Sequence, residues 1–128
     1  MTLARRLALK CGDRAGSTAV ESALVFIPFI MLVVGGFYAA GLAFAAASMQ
    51  FAAEAAARCA AVQTTVCTGS STTVTYANSH YLASSLGTPT FTYSASGCGN
   101  VVSGTLTYVL DIGLSKINVP LTSTACFP

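Results

Sequence analysis

Charge is nearly missing from this chain. Its 128 residues include six Lys and Arg and four Asp and Glu, and the mean hydropathy of +0.69 is too high for an ordinary soluble domain. The few charges are also unevenly placed. Arg5, Arg6, Lys10, Arg14 and Asp13 fall in residues 1–16, which leaves Arg58 and Lys116 against Glu21, Glu54 and Asp111. The net charge of +2 therefore belongs to the leader, the remainder is slightly negative on its side chains, and a basic face for nucleic acid is excluded. Histidine is reduced to His80, which reads as a surface residue of a short helix rather than a base or a ligand. Neither a Cys-x-x-Cys pair nor a His-rich spacing is present, so nothing points to zinc. No catalytic set, cofactor motif or small-molecule site emerges, and an enzyme is the class the residues argue against most. Internal repeats and a disordered tail are missing too, and the length leaves room for one small domain.

What is present is a long charge-free run. Ser22–Met49 contains no charged residue, and roughly 20 apolar residues suffice to cross a bilayer. Pro28 would break a soluble helix, but membrane helices tolerate such a kink. Past the run, Phe51–Val62 is built from strong helix formers, with Glu54 and Arg58 in the favourable i, i+4 order. The helix is predicted to continue to about Val62, roughly 46 residues and about 70 Å at 1.5 Å per residue. Gly36/Ala40, Gly41/Ala45 and Ala43/Ala47 stand four apart, a small-xxx-small pattern that permits close helix approach. The basic leader precedes the span, so the positive-inside rule puts residues 1–16 in the cytoplasm and the C-terminal portion across the membrane.

The second half changes character. Thr64–Thr75 reads as a loop, and a short helix is predicted from Ala77 to Leu86, with Gly87 and Pro89 as stop signals. Phe91 and Tyr93 alternate with Thr90, Thr92 and Ser94 as a strand. Gly97–Asn100 has turn chemistry. Val101–Asp111 and Ile117–Phe127 are two further strands. Asp111 and Lys116 flank the turn between them as solvated charges, and the five tyrosines read as core. So thin a domain is expected to pack on the outer half of the long helix or on neighbouring subunits.

The expected fold is α+β: a long N-terminal membrane-spanning helix followed by a small domain with a short helix and about three antiparallel strands. Residues 1–16 form the leader, 17–62 the helix with its span at about 22–49, and 63–128 a small extracytoplasmic domain. Cys11 stays with the leader in a reducing compartment, while Cys59, Cys67, Cys98 and Cys126 face an oxidising one. Four cysteines allow three pairings. Cys59–Cys67 and Cys98–Cys126 are favoured, because the first pair is close in sequence and the second would pin the C-terminus; four free buried thiols are the alternative.

The most informative stretch runs from Gly16 to Glu21. Glycine lets the backbone lie extended in a protease cleft, and cleavage after Gly16 would free an amine on Ser17. Glu21 would then stand in apolar surroundings, where a carboxylate is costly unless paired. A neighbouring subunit's N-terminal ammonium is the natural partner. A structural reading coexists with this one: Thr18-Ala-Val-Glu21 fits the capping box, in which Glu21 serves the amides at the helix start.

Arg14, Gly16, Val20, Glu21, Ala23, Leu24 and Pro28, with the Ala-rich stretch ending at Arg58, resemble the N-terminal signature of TadE-like pseudopilins. These are minor type IV pilin-like proteins of the tight-adherence (Flp) pilus system. The likeness covers roughly residues 14–60, and Ser22 departs from it where the family commonly has Phe. The resemblance implies a pilin-like fold, cleavage after Gly16 by a membrane-embedded prepilin peptidase, and Glu21 as the acid at mature position five. It also implies the partners: the membrane, that peptidase, other pilin and pseudopilin subunits and the pilus assembly platform, with no cofactor. The expected place is the bacterial inner membrane, crossed once, with the C-terminal domain periplasmic or within an extracellular pilus. An uncleaved single-pass anchor with a partner-binding outer domain is the alternative. A secreted domain released near residues 46–48 is a third reading, disfavoured by an apolar region far longer than a signal peptide needs.

Overall fold

The computed structural model describes residues 15–111 and 115–128. Helix α1 spans Ala15–Val62 and helix α2 Ser70–His80, followed by one 3-10 turn at Ser84–Leu86. Strands β1 (Thr90–Ser96), β2 (Gly99–Asp111) and β3 (Lys116–Phe127) complete the chain. The α+β architecture is the expected one. The chain divides into two compact units, Met1–Phe37 and Tyr38–Pro128.

In the first unit α1 is a bare apolar helix. Its large side chains are exposed, from Val20 through Leu24, Phe26 and Met31 to Phe37. The most apolar window of α1 has a hydropathy of 2.3 and none of it is buried. The roughly 23 residues from Ala15 to Phe37 measure about 35 Å, against a hydrocarbon core of about 30 Å. Pro28 lies inside the helix. By length and composition this helix can cross a membrane.

In the second unit the rest of α1 is covered. Ala45, Met49, Ala52, Ala53, Ala56 and Ala57 are all buried, the three-and-four spacing of one helix face. They form a core with Phe91, Val102, Leu106 and Ala125 of the sheet and with Ala77, Tyr81 and Ala83. Small side chains let the helix approach closely. A Cβ on Gly41 would stand 2.9 Å from the Tyr108 hydroxyl oxygen, and the Ser123 hydroxyl donates to the Met49 carbonyl at 3.4 Å.

The sheet is an antiparallel meander in the order β1-β2-β3. Phe91 pairs with Gly104, and a Cβ on Gly104 would meet the Phe91 ring at 2.6 Å. The glycine is what lets Phe91, 4 % exposed, lie flat across the strand. The opposite face carries in-register hydroxyl rows, Thr90–Thr105–Thr122 and Thr92–Ser103–Thr124, which suits a face left to water.

The second helix corrects the sequence reading. It begins at Ser70 and ends at His80, so Thr64–Thr75 is only partly loop and Ala77–Leu86 is not one helix. Its start is set locally: the Gly69 N–H donates to Thr72 Oγ1 at 3.0 Å, and the Thr73 hydroxyl donates to the Gly69 carbonyl at 2.9 Å. Its end is set from a distance. The Ser48 hydroxyl, buried on α1, accepts from the N–H groups of Leu82 (2.7 Å) and Ala83 (3.2 Å). Those two amides are drawn out of any helical ladder, and the chain turns toward β1.

The tyrosines also divide. Tyr81 and Tyr108 are buried, but Tyr38, Tyr76 and Tyr93 are only half-buried. Tyr81 is 8 % exposed and its hydroxyl has no hydrogen-bond partner among the described residues; burial raises its pKa above the ordinary value. The folded state therefore keeps this proton longer than the unfolded state does. Its stability is full below about pH 10 and falls as pH rises past that value. Tyr81→Phe is expected to abolish this alkaline loss and to match or exceed the parent by about 1 kcal/mol at neutral pH. Denaturation midpoints of the two proteins at about pH 8 and about pH 11 check both effects.

Candidate processing and assembly sites

The leader, with Arg5, Arg6, Lys10, Arg14, Asp13 and Cys11, lies outside the described residues at 1–14. Gly16 and Ser17 fall in the first turn of α1. This corrects the capping-box reading: Ala15 to Ser17 are already helical, so Thr18 is inside the helix rather than at its N-cap. Glu21 is exposed and stands with Thr18, Ser22, Val25, Phe26 and Phe29 along a shallow depression. The next charged residue toward the C-terminus is Glu54. A carboxylate on so apolar a helix needs a partner once it leaves water.

A second site lies in the C-terminal unit. A groove of about 860 Å³ runs between the end of α1, helix α2 and the end of β3. Phe51, Val62, Tyr76 and Phe127 supply apolar walls, while Glu54, Arg58 and His80 supply polar ones. The expected Glu54–Arg58 pair is not formed. Glu54 instead accepts from Gln50 Nε2 at 2.9 Å, one turn earlier, because two long exposed side chains gain little from closing on each other in water. Asp111 and Lys116 do form an ion pair, at 3.5 Å and exposed to solvent. His80 stacks on Tyr76 with ring centroids 4.1 Å apart, and its Nδ1 lies 2.9 Å from the Tyr76 carbonyl oxygen.

The four cysteines past the leader stand at disulfide distance as Cys59–Cys67 (Cα–Cα 5.8 Å) and Cys98–Cys126 (6.4 Å). The first pair ties the end of α1 to the segment before α2. The second ties the β1–β2 turn to the last strand. The small-xxx-small pairs separate by use. Gly41 and Ala45 face the sheet of their own chain, whereas Ala43 and Ala47 are exposed. Two residues that no sequence pattern singles out organise the unit: Ser48 by its two hydrogen bonds, and Tyr38, whose hydroxyl donates to the Asp111 carbonyl at 2.8 Å. Ser48 is conspicuous only as a polar residue within an alanine run.

Comparison with known proteins adds one finding. Residues 16–58 match the family model described as TadE-like protein. This segment is TadE-like. The TadE-like segment opens at Gly16, takes in Glu21 and the whole exposed apolar helix, and closes at Arg58 in the groove. No curated protein and no solved structure matches the chain. The likeness covers residues 16–58 alone, and the apolar helix within them is long enough to cross a membrane.

Proposed function

We propose that this chain is a minor pseudopilin: a structural subunit cut after Gly16 by a prepilin peptidase and built into, or priming, a tight-adherence (Flp) type IV pilus or a related secretion apparatus. The single observation that carries the proposal is the start of the TadE-like segment at Gly16, directly ahead of Ser17, Glu21 and a helix able to span a bilayer. The leader is held in the cytoplasm by its basic residues, and the C-terminal unit lies on the periplasmic side. For cleavage, the first turn of α1 must open into the peptidase cleft.

After the cut, the Ser17 ammonium and the Glu21 carboxylate are charges of opposite sign one turn apart. In an apolar bundle each offsets the desolvation of its counterpart on a neighbouring subunit and fixes the axial step between subunits. The mechanism is assembly, and no chemistry falls to the subunit itself.

The N-terminal residue of the mature protein, read by intact mass or by sequencing, tests this directly. Ser17 supports the pseudopilin. Met1 would make the chain an uncleaved anchor with a partner-binding outer domain, and a start near residues 46–48 would make it a secreted domain. Glu21→Ala is expected to leave cleavage intact and to lower pilus incorporation at least about tenfold, the equivalent of one lost ion pair of about 1.4 kcal/mol in an apolar setting. Quantifying the subunit in sheared pili against cell-bound protein measures this, and equal incorporation by the mutant would refute the pairing role.

A further inference from the structure

Six residues of α1 within the C-terminal unit form a stripe that the fold leaves uncovered. Ala40, Phe44, Ala47, Phe51, Glu54 and Arg58 are all exposed, with Phe44 at 51 % and Phe51 at 52 %. They follow one another at steps of four and three residues, the spacing that keeps a seam on one face of a helix. At about 100° per residue all six fall within about 40° of a single line along α1. The core positions Ala45, Met49, Ala52 and Ala56 lie on the far side of the helix, so the stripe points away from the sheet of its own chain.

The stripe has a repeat. Phe44, Phe51 and Arg58 stand seven residues apart, and so do Ala40, Ala47 and Glu54, each four residues before its counterpart. Its charges are not used within the chain. Glu54 accepts from the neutral Gln50 amide, and Arg58 has no hydrogen bond or ion pair among the described residues. At the far end of the stripe, Phe51, Glu54 and Arg58 also wall the groove, which leaves open space beside them.

We propose that this stripe packs on the same stripe of a second copy of the chain, with the two helices parallel and offset by four residues, about 6 Å along the axis. That single offset sets Phe44 on Ala40, Phe51 on Ala47 and Arg58 on Glu54 of the second copy. Each ring meets a small side chain, and the cation meets the anion. Charge rejects the other arrangements. In register, Glu54 would face Glu54 and Arg58 would face Arg58, and such like-charge contacts are costly. An antiparallel pair with Phe44 on Ala47 would carry Glu54 and Arg58 past the end of the stripe, where no charge stands opposite either and desolvation goes uncompensated. The contact is heterologous: one copy gives its Phe–Arg row and the other its Ala–Glu row, so it has a direction and can repeat. It spans about five helical turns, and a single contact is correspondingly weak and reversible. The inference holds whether or not the chain is cut after Gly16, since the stripe lies wholly within Tyr38–Pro128.

The test uses the full chain in detergent, its association followed by sedimentation velocity over a concentration series. Wild type is expected to associate as its concentration rises. Glu54→Arg and Arg58→Glu, made separately, are each expected to associate at least about tenfold more weakly. In the first, Arg58 faces a second arginine; in the second, Glu54 faces a second glutamate. Mixing the two variants restores association, because each supplies the charge the other has lost, and an ion pair within one chain could not be mended by mixing. Cross-linking reads the offset. A mixture of Ala47→Cys and Phe51→Cys chains under mild oxidation is expected to join through residues 47 and 51, located by peptide mass mapping, whereas Ala47→Cys alone does not join to itself. The inference is overturned if wild type stays monomeric throughout, if either charge variant associates as wild type does, if their mixture does not recover, or if the 47–51 link is missing or gives way to a 47–47 link. Recovery in the mixture also shows that both charge variants are folded, and the N-terminal residue of the same preparations reports on processing separately.

Discussion

Gly16→Val is expected to leave the protein at full length, with Met1 at its N-terminus and residues 1–16 still attached. In the proposed pathway the peptidase must draw the first turn of α1 into an extended strand, and a β-branched side chain at the cut fills space that glycine leaves open. The folded protein hardly registers the change. Valine is no worse than glycine in a helix, and position 16 lies far along the chain from the core around Met49 and Val102. The two cysteine pairs should form as before, so a block at this step is not confused with misfolding. Gly16→Ala should be cut at an intermediate rate. Intact-mass measurement of membrane fractions distinguishes the precursor from the mature chain. Normal trimming of Gly16→Val would count directly against cleavage at this bond.

The second large effect concerns stability. Removing the Cys98–Cys126 bridge as a double alanine variant is expected to cost about 3–4 kcal/mol, and removing Cys59–Cys67 about 2.5 kcal/mol. The order follows from sequence separations of 28 and 8 residues, since the longer loop loses more freedom in the unfolded chain when it is closed. A small domain has on the order of 5–15 kcal/mol in total, and this unit relies on alanine for much of its helix–sheet contact. Loss of the longer bridge should therefore move the denaturation midpoint most, as followed by circular dichroism of the two variants and the parent in one detergent. Equal costs, or the reverse order, would show that native packing around Cys59 (2 % exposed) and Cys67 (5 % exposed) outweighs the loop effect.

How far the residues could be read varies along the chain. The long helix was legible because its signal is redundant. Nearly every residue from Ser22 to Met49 is apolar and none is charged, so errors at single positions do not matter. The strands were legible from alternation, and their ends shifted by one or two residues only. The second helix was misplaced because Ser70–Thr75 has poor helix propensity and is held by hydroxyl bonds to Gly69, a local device that composition describes as loop. Leu82 and Leu86 had the right helical spacing but follow a chain turned away by Ser48, 34 residues earlier. The Glu54–Arg58 pair failed for another reason: spacing brings two side chains within reach, but the competing Gln50 amide decides which contact forms.

The candidate sites divide in the same way. The Gly16–Glu21 element, the exposed apolar helix and the cysteines are linear features, and sequence alone determined them, because each depends on residues adjacent along the chain or on composition over a window. The groove at Arg58, the contact of Tyr38 with Asp111 and the covering of Gly41 by Tyr108 exist only after folding. Each joins residues tens of positions apart, and their meeting depends on which face of α1 the sheet covers. Close packing of alanines against Val102 and Leu106 made that choice, and it left Glu54 and Arg58 facing outward.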